Sequence, residues 1–179
     1  IATLGLDAEA ITHLTALQDE NENRFVSLNS DTLSDFFAAL LADTTLTPEL
    51  RQTLAKTRLL VDGSSNAQDE LNKLTVPEGS AAAFRDYLQA ANQFYAGNYT
   101  AARQSFTALS TNPQPWIAET ASYMLMRNAL NASSENANGE YGDFDVTKVD
   151  KTLAQQARDS AQNYLKKWPQ GKYADSTQG

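Results

Sequence analysis

The sequence predicts an all-α protein made of antiparallel helical hairpins, and three observations carry that reading. Apolar residues recur at i, i+3, i+4 and i+7 in several separate stretches, the spacing of one helix face. Short runs rich in Gly, Pro, Asn, Asp and Ser lie between them and break the helices. In the stretch 83–109, two stripes stand so close, and are so short, that each needs the other to bury its face.

Along the chain, Asp7 suits the cap of a first helix with Ile11, Leu14 and Leu17 inside. Residues 18–24 (QDENENR) are polar and read as a surface segment. Leu33, Phe36, Phe37, Leu40 and Leu41 form the next stripe, which Asp43-Thr44-Thr45 ends. Thr47-Pro48-Glu49 starts another helix: a capping oxygen, a proline suited to the first turn, and an acid at the positive end. Leu50, Leu54 and Val61 face inward from it, and 62–65 stops it. A short helix over 66–74 and a turn over 76–79 follow, with Ser80 as cap of the next helix.

In the central hairpin, Phe84, Tyr87, Leu88, Ala91, Phe94 and Tyr95 make one stripe. Gly97 ends it by taking a left-handed conformation. Ala102, Phe106 and Leu109 make the second stripe. Pro113 and Pro115 then separate this hairpin from a helix over 116–131, with Ile117, Ala121, Met124 and Leu125 inside. An Asn- and Gly-rich insertion over 132–146 leads to a last helix. Val149, Leu153, Ala157, Ala161, Tyr164, Leu165 and Trp168 run down its inner face until Pro169 and Gly171 end it.

The series Ala91, Phe94, Gly97, Tyr99, Ala102 and Phe106, with Pro113 closing the unit, resembles a tetratricopeptide repeat (TPR). Tyr164-Leu165-Lys166-Lys167-Trp168-Pro169 followed by Gly171-Lys172-Tyr173-Ala174 is similar to repeat ends in bacterial cell-envelope members of that family. Examples are the outer-membrane assembly lipoprotein and the Tol–Pal coordinator. The resemblance spans 83–174. It implies a short right-handed solenoid of stacked hairpins over 80–179, with 1–79 as degenerate repeats or a helical cap. It also implies a non-catalytic protein-binding scaffold whose partner is another protein or peptide. In such a stack the first helix of each hairpin lines the groove, which makes Arg85, Gln89, Tyr123 and Arg127 the candidate partner-binding residues. Tyr and Arg suit that role as interface anchors.

A chain of 179 residues with 41% hydrophobic content can build a core, and seven Tyr, seven Phe and two Trp will dominate it. The formal net charge of −8 and the lack of a Lys/Arg cluster argue against nucleic acid. With no cysteine there is no disulfide, thiolate metal site or Cys nucleophile. No apolar run approaches the roughly 18 residues that cross a bilayer. The preference for Ala, Asn, Gln, Ser and Thr over Lys points to a periplasmic or outer-membrane-associated protein, with the cytoplasm as the alternative. Ile1 is not an initiator, and 172–175 reads as a helix just beginning, so a fragment of a longer chain is expected.

No catalytic constellation is read. His13, the only histidine, has no recognisable acid or nucleophile partner. Gly139 and Gly142 lack the Lys-Ser/Thr of a phosphate loop. Residues 134–145 can be laid over a twelve-residue calcium loop with Asn136, Asn138, Gly139 and Asp145 in place. However, Ser134 replaces the first Asp, and Asp145 replaces the bidentate Glu. A plain loop is the other reading, and no metal ligand or cofactor is assigned. The alternative function is a helical accessory domain of a larger envelope enzyme whose active site lies elsewhere.

Overall fold

The structure, a computed structural model, describes residues 30–138 and 151–178. Every regular element among them is an α-helix. The chain divides into two compact units, Ile1–Leu88 and Gln89–Gly179. The expected first helix, the polar run 18–24, His13 and Val149 lie outside the described residues.

The first unit holds α1 (Ser30–Ala42), α2 (Pro48–Leu60) and α3 (Ser65–Lys73), and the start of α4 (Ser80–Tyr95). Within it, α2 packs against both α1 and α3. From the α1 stripe, Leu33, Phe36 and Leu40 are buried, while Leu41 stays exposed. The Phe36 ring meets Phe84 edge-on at 5.5 Å and stacks on Tyr87 at 6.0 Å, which ties α1 to α4. This aromatic contact draws the first two turns of α4 into the first unit. The break between the two units falls within α4, after Leu88.

The α2 start forms as its residues dictate. Thr47 accepts a hydrogen bond from the Leu50 N–H at 3.1 Å, and Pro48 opens the helix. Leu54 and Val61 are buried; Leu50 is only half-buried. One residue does more than its sequence context suggests. Arg51 donates from Nε to the Leu40 carbonyl (2.8 Å) and from a terminal nitrogen to the Asp43 carbonyl (2.7 Å). Those carbonyls sit at the end of α1, where helical partners run out. At α3, Ser64 accepts from the Ala67 N–H at 3.0 Å, so the helix starts one residue earlier than expected. Ser80 is the first residue of α4 and not its cap.

The second unit holds the rest of α4, then α5 (Tyr99–Leu109), α6 (Pro115–Asn138), α7 (Lys151–Lys167) and the short α8 (Ala174–Gln178). The turn from α4 to α5 is a Schellman motif. Asn98 N–H donates to the Gln93 carbonyl at 2.9 Å, and Gly97 N–H donates to the Phe94 carbonyl at 3.0 Å. Gly97 has φ +79°, the left-handed conformation this motif requires and a side chain resists. Across the turn, Ser105 donates to Gln93 Oε1 at 2.8 Å, and the Phe94 and Tyr99 rings meet edge-on at 6.1 Å. Ala102, Phe106 and Leu109 are all buried, as their spacing predicts.

Gln114 and Pro115 start α6, with Gln114 Oε1 accepting from the Ile117 N–H at 2.9 Å. The helix continues to Asn138, seven residues past its expected end. It packs along both α5 and α7. Burial therefore spreads around much of its circumference: Trp116, Ile117, Thr120, Ala121, Tyr123, Met124 and Met126 are all buried. Because 134–138 are helical, they do not form the first five positions of a calcium loop. The rest of that overlay lies outside the described residues. No helix is long and apolar enough to cross a membrane among the residues described.

Replacing Gly97 by Val places a branched side chain in the left-handed region. The variant is expected to lose about 1–2 kcal/mol of stability. Urea denaturation checks this; a midpoint equal to that of the wild type would show that the turn does not need glycine.

Candidate functional site

Two side-chain assemblies stand out in the second unit. The first is a tyrosine cluster. The Tyr123 and Tyr173 rings stack at 4.2 Å with 10° between their planes, and Tyr164 meets Tyr123 edge-on at 6.4 Å. Trp168 lies 5.3 Å from Tyr164. The phenol oxygens are all engaged. Tyr164 donates to Glu119 Oε2 at 2.6 Å and accepts from the Tyr173 N–H at 2.9 Å. Glu119 Oε2 also accepts from the Lys172 N–H at 2.9 Å. Tyr173 and Thr120 share a bond of 3.1 Å between their hydroxyls, and Tyr123 accepts from Arg127 at 2.9 Å. Burial of the phenol pushes the Tyr164 pKa up, and its bond to the Glu119 carboxylate adds to the shift.

This cluster fastens α6, α7 and the segment entering α8 to one another. Gly171 closes it. A Cβ there would fall 2.5 Å from Glu119 Oε2 and 2.7 Å from Trp168 Cβ, and would also collide with the Tyr164 hydroxyl. Position 171 therefore needs a hydrogen in place of a side chain because of close approach.

The second assembly is a cleft of about 440 Å³. Gly97 and Asn98 from the Schellman turn, Thr100 and Arg103 from α5, Asn128 from α6 and Gln156 from α7 all line it. Arg103 is the only charged side chain among the described residues lining it. The α5 N-terminus opens here without a side-chain cap: Asn98 makes no capping bond. Its first-turn N–H groups have no helical acceptors. Asn128 is only 2% exposed. Its Nδ2 donates to the Tyr99 carbonyl at 2.9 Å, which fixes the amide's orientation because a carbonyl can only accept. That leaves Asn128 Oδ1 buried with no donor, and Gln156 Oε1 is in the same position. Each buried acceptor left unpaired costs about 1–3 kcal/mol. The cleft thus combines a helix start without a side-chain cap, two unpaired acceptors and one cation.

Of the residues expected to bind a partner, Tyr123 and Arg127 are brought together. The Arg127 guanidinium lies 5.9 Å from the Tyr123 ring and bonds its hydroxyl. Tyr123 is only 2% exposed, so its ring packs the tyrosine cluster and offers no surface to a partner. The cause is the cover on both sides of α6, which helical spacing within one segment does not reveal. Arg85 is half-buried and paired with its neighbour Asp86 at 3.0 Å. Arg85 belongs to the first unit, and half-buried Gln89 opens the second. Among the described residues, no group of three or more His, Cys, Asp or Glu could hold a metal. Sequence reasoning missed Glu119, Asn128 and Gln156. Glu119 is separated from its partners by 45 and 53 residues, so no local pattern marks it. Comparison with family models, curated proteins and solved structures finds no match.

Exchanging Gly171 for Ala forces the hydrogen-bonded Tyr164 and Glu119 apart, an overpacking cost of about 1–3 kcal/mol. Calorimetry should show a lower Tm, and an unchanged Tm would show that the cluster yields freely. The raised pKa of Tyr164 gives a second test. Folded protein holds this proton more tightly than unfolded chain does. Its contribution to stability is thus complete below the ordinary tyrosine pKa of about 10 and is lost as pH rises beyond it. In the folded protein at about pH 11, phenolate absorbance should be the same for wild type and Tyr164→Phe. A smaller signal in the variant would mean that Tyr164 ionises like an exposed phenol.

Proposed function

We propose that this chain is a non-catalytic protein-binding module of the bacterial envelope, a helical scaffold that docks a peptide or partner surface. The observation that carries this reading is the cleft lined by α5, α6 and α7. A peptide backbone offers an N–H and a carbonyl at every residue. The cleft offers unpaired acceptors on Asn128 and Gln156 and, at the start of α5, a helix end without a side-chain cap. The hairpin from α4 to α5, closed at Gly97, supports a TPR-like arrangement, in which successive hairpins would present such a surface. The composition, rich in Ala, Asn, Gln, Ser and Thr, supports a periplasmic setting. Arg127 and Gln89 remain candidate partner contacts on the second unit, outside the residues that line the cleft, and Arg85 is a candidate on the first unit.

A photo-crosslinking amino acid at Gln104, an exposed position lining the cleft, should trap a partner protein in the source cell. The same group at Lys56, exposed on the first unit, is the comparison. A discrete protein adduct at 104, absent at 56, is the expected outcome. No protein adduct at 104 would rule out docking in this cleft.

A further inference from the structure

We infer that the cleft beside α5 binds a carboxylate with an amide N–H next to it, the carboxylate serving as the N-cap that α5 lacks. This rests on the peptide-docking reading above and names the chemistry that would be recognised. Three observations converge. The start of α5 carries the partial positive charge of a helix N-terminus, and Asn98 gives it no side-chain cap. Arg103, one turn into α5, adds a full positive charge on the same wall, and no carboxylate lines the cleft among the described residues. An anion is therefore favoured here locally, on a chain whose net charge is −8.

The third observation is independent of the helix end. Asn128 is almost wholly buried, and its Oδ1 has no donor; Gln156 Oε1 has none either. Both residues line the cleft. Asn128 is held in place by the Tyr99 carbonyl, whereas Gln156 is half-exposed and can turn its amide toward a donor in the cleft. A bare anion such as chloride would satisfy the helix end and leave these oxygens orphaned. A carboxylate two to four bonds from an amide N–H satisfies the helix end and also brings a donor within reach of the Gln156 amide oxygen. Two sources supply that chemistry: the free C-terminus of a peptide, and an Asp or Glu side chain within one.

The test is a titration of the isotope-labelled full chain followed by NMR. The probes are N-acetyl-trialanine as the free acid, the same peptide as its amide, and N-acetyl-Ala-Asp-Ala-amide. At least one of the acids should shift the backbone resonances of Thr100 and Ala101 and the side-chain amide of Asn128. The neutral amide should not. Whichever acid binds identifies the source. Arg103 is exposed, so Arg103→Ala should keep the spectrum of a folded protein and weaken the binding acid at least fivefold. The inference is overturned if neither acid moves those resonances, or if the neutral peptide moves them equally. It is also overturned if Arg103→Ala binds as the wild type does. A crosslinked adduct at position 104 whose yield is unchanged by Arg103→Ala would leave the docking reading intact and remove only the carboxylate.

Discussion

A 24-residue helix with large side chains around much of its girth needs cover on more than one side. The second unit is built on that requirement. Helix α6 lies along both α5 and α7, and the core residues Ile117, Thr120, Ala121, Tyr123 and Met124 are enclosed as a result. The hairpin turn at Gly97 and the tyrosine cluster bring the helices of this unit together. The cleft follows from the same packing, because it is framed by the start of one covering helix and the side of the other.

The two assemblies in this unit use polar groups in opposite ways. In the tyrosine cluster every phenol oxygen has a partner, so burial costs little and the network is rigid. In the cleft, two amide oxygens are left without one, and the start of α5 has no side-chain cap. A folded chain keeps such groups only at a cost, and a ligand that completes them recovers it.

Much of the helical framework is legible in the sequence because the forces that set it are local. The Thr47-Pro48-Glu49 start, the buried faces of α4 and α5 and the turn at Gly97 all form where residue spacing puts them. Helix α6 is the exception on two counts. It runs past its expected end into a stretch whose Asn, Ser and Gly content reads as loop, and it buries Tyr123. Both depend on neighbours distant in sequence. The candidate site was less legible still. Arg127 and Tyr123 are correctly paired by their i, i+4 spacing, yet Asn128 draws notice only once its oxygen is seen to lack a donor.

The joint between α4 and α5 has almost no chain to spare. Asn98 closes the earlier helix with its N–H and opens the later one with its carbonyl, which accepts from the Ala102 N–H at 3.0 Å. One residue thus belongs to both rods. A single added residue there would turn α5 by about 100° about its own axis. Phe106 and Leu109 would swing off the core, and Arg103 would leave the cleft. Length at this joint is therefore under tighter constraint than the identity of most residues around it, so insertions and deletions will be accommodated elsewhere in the fold.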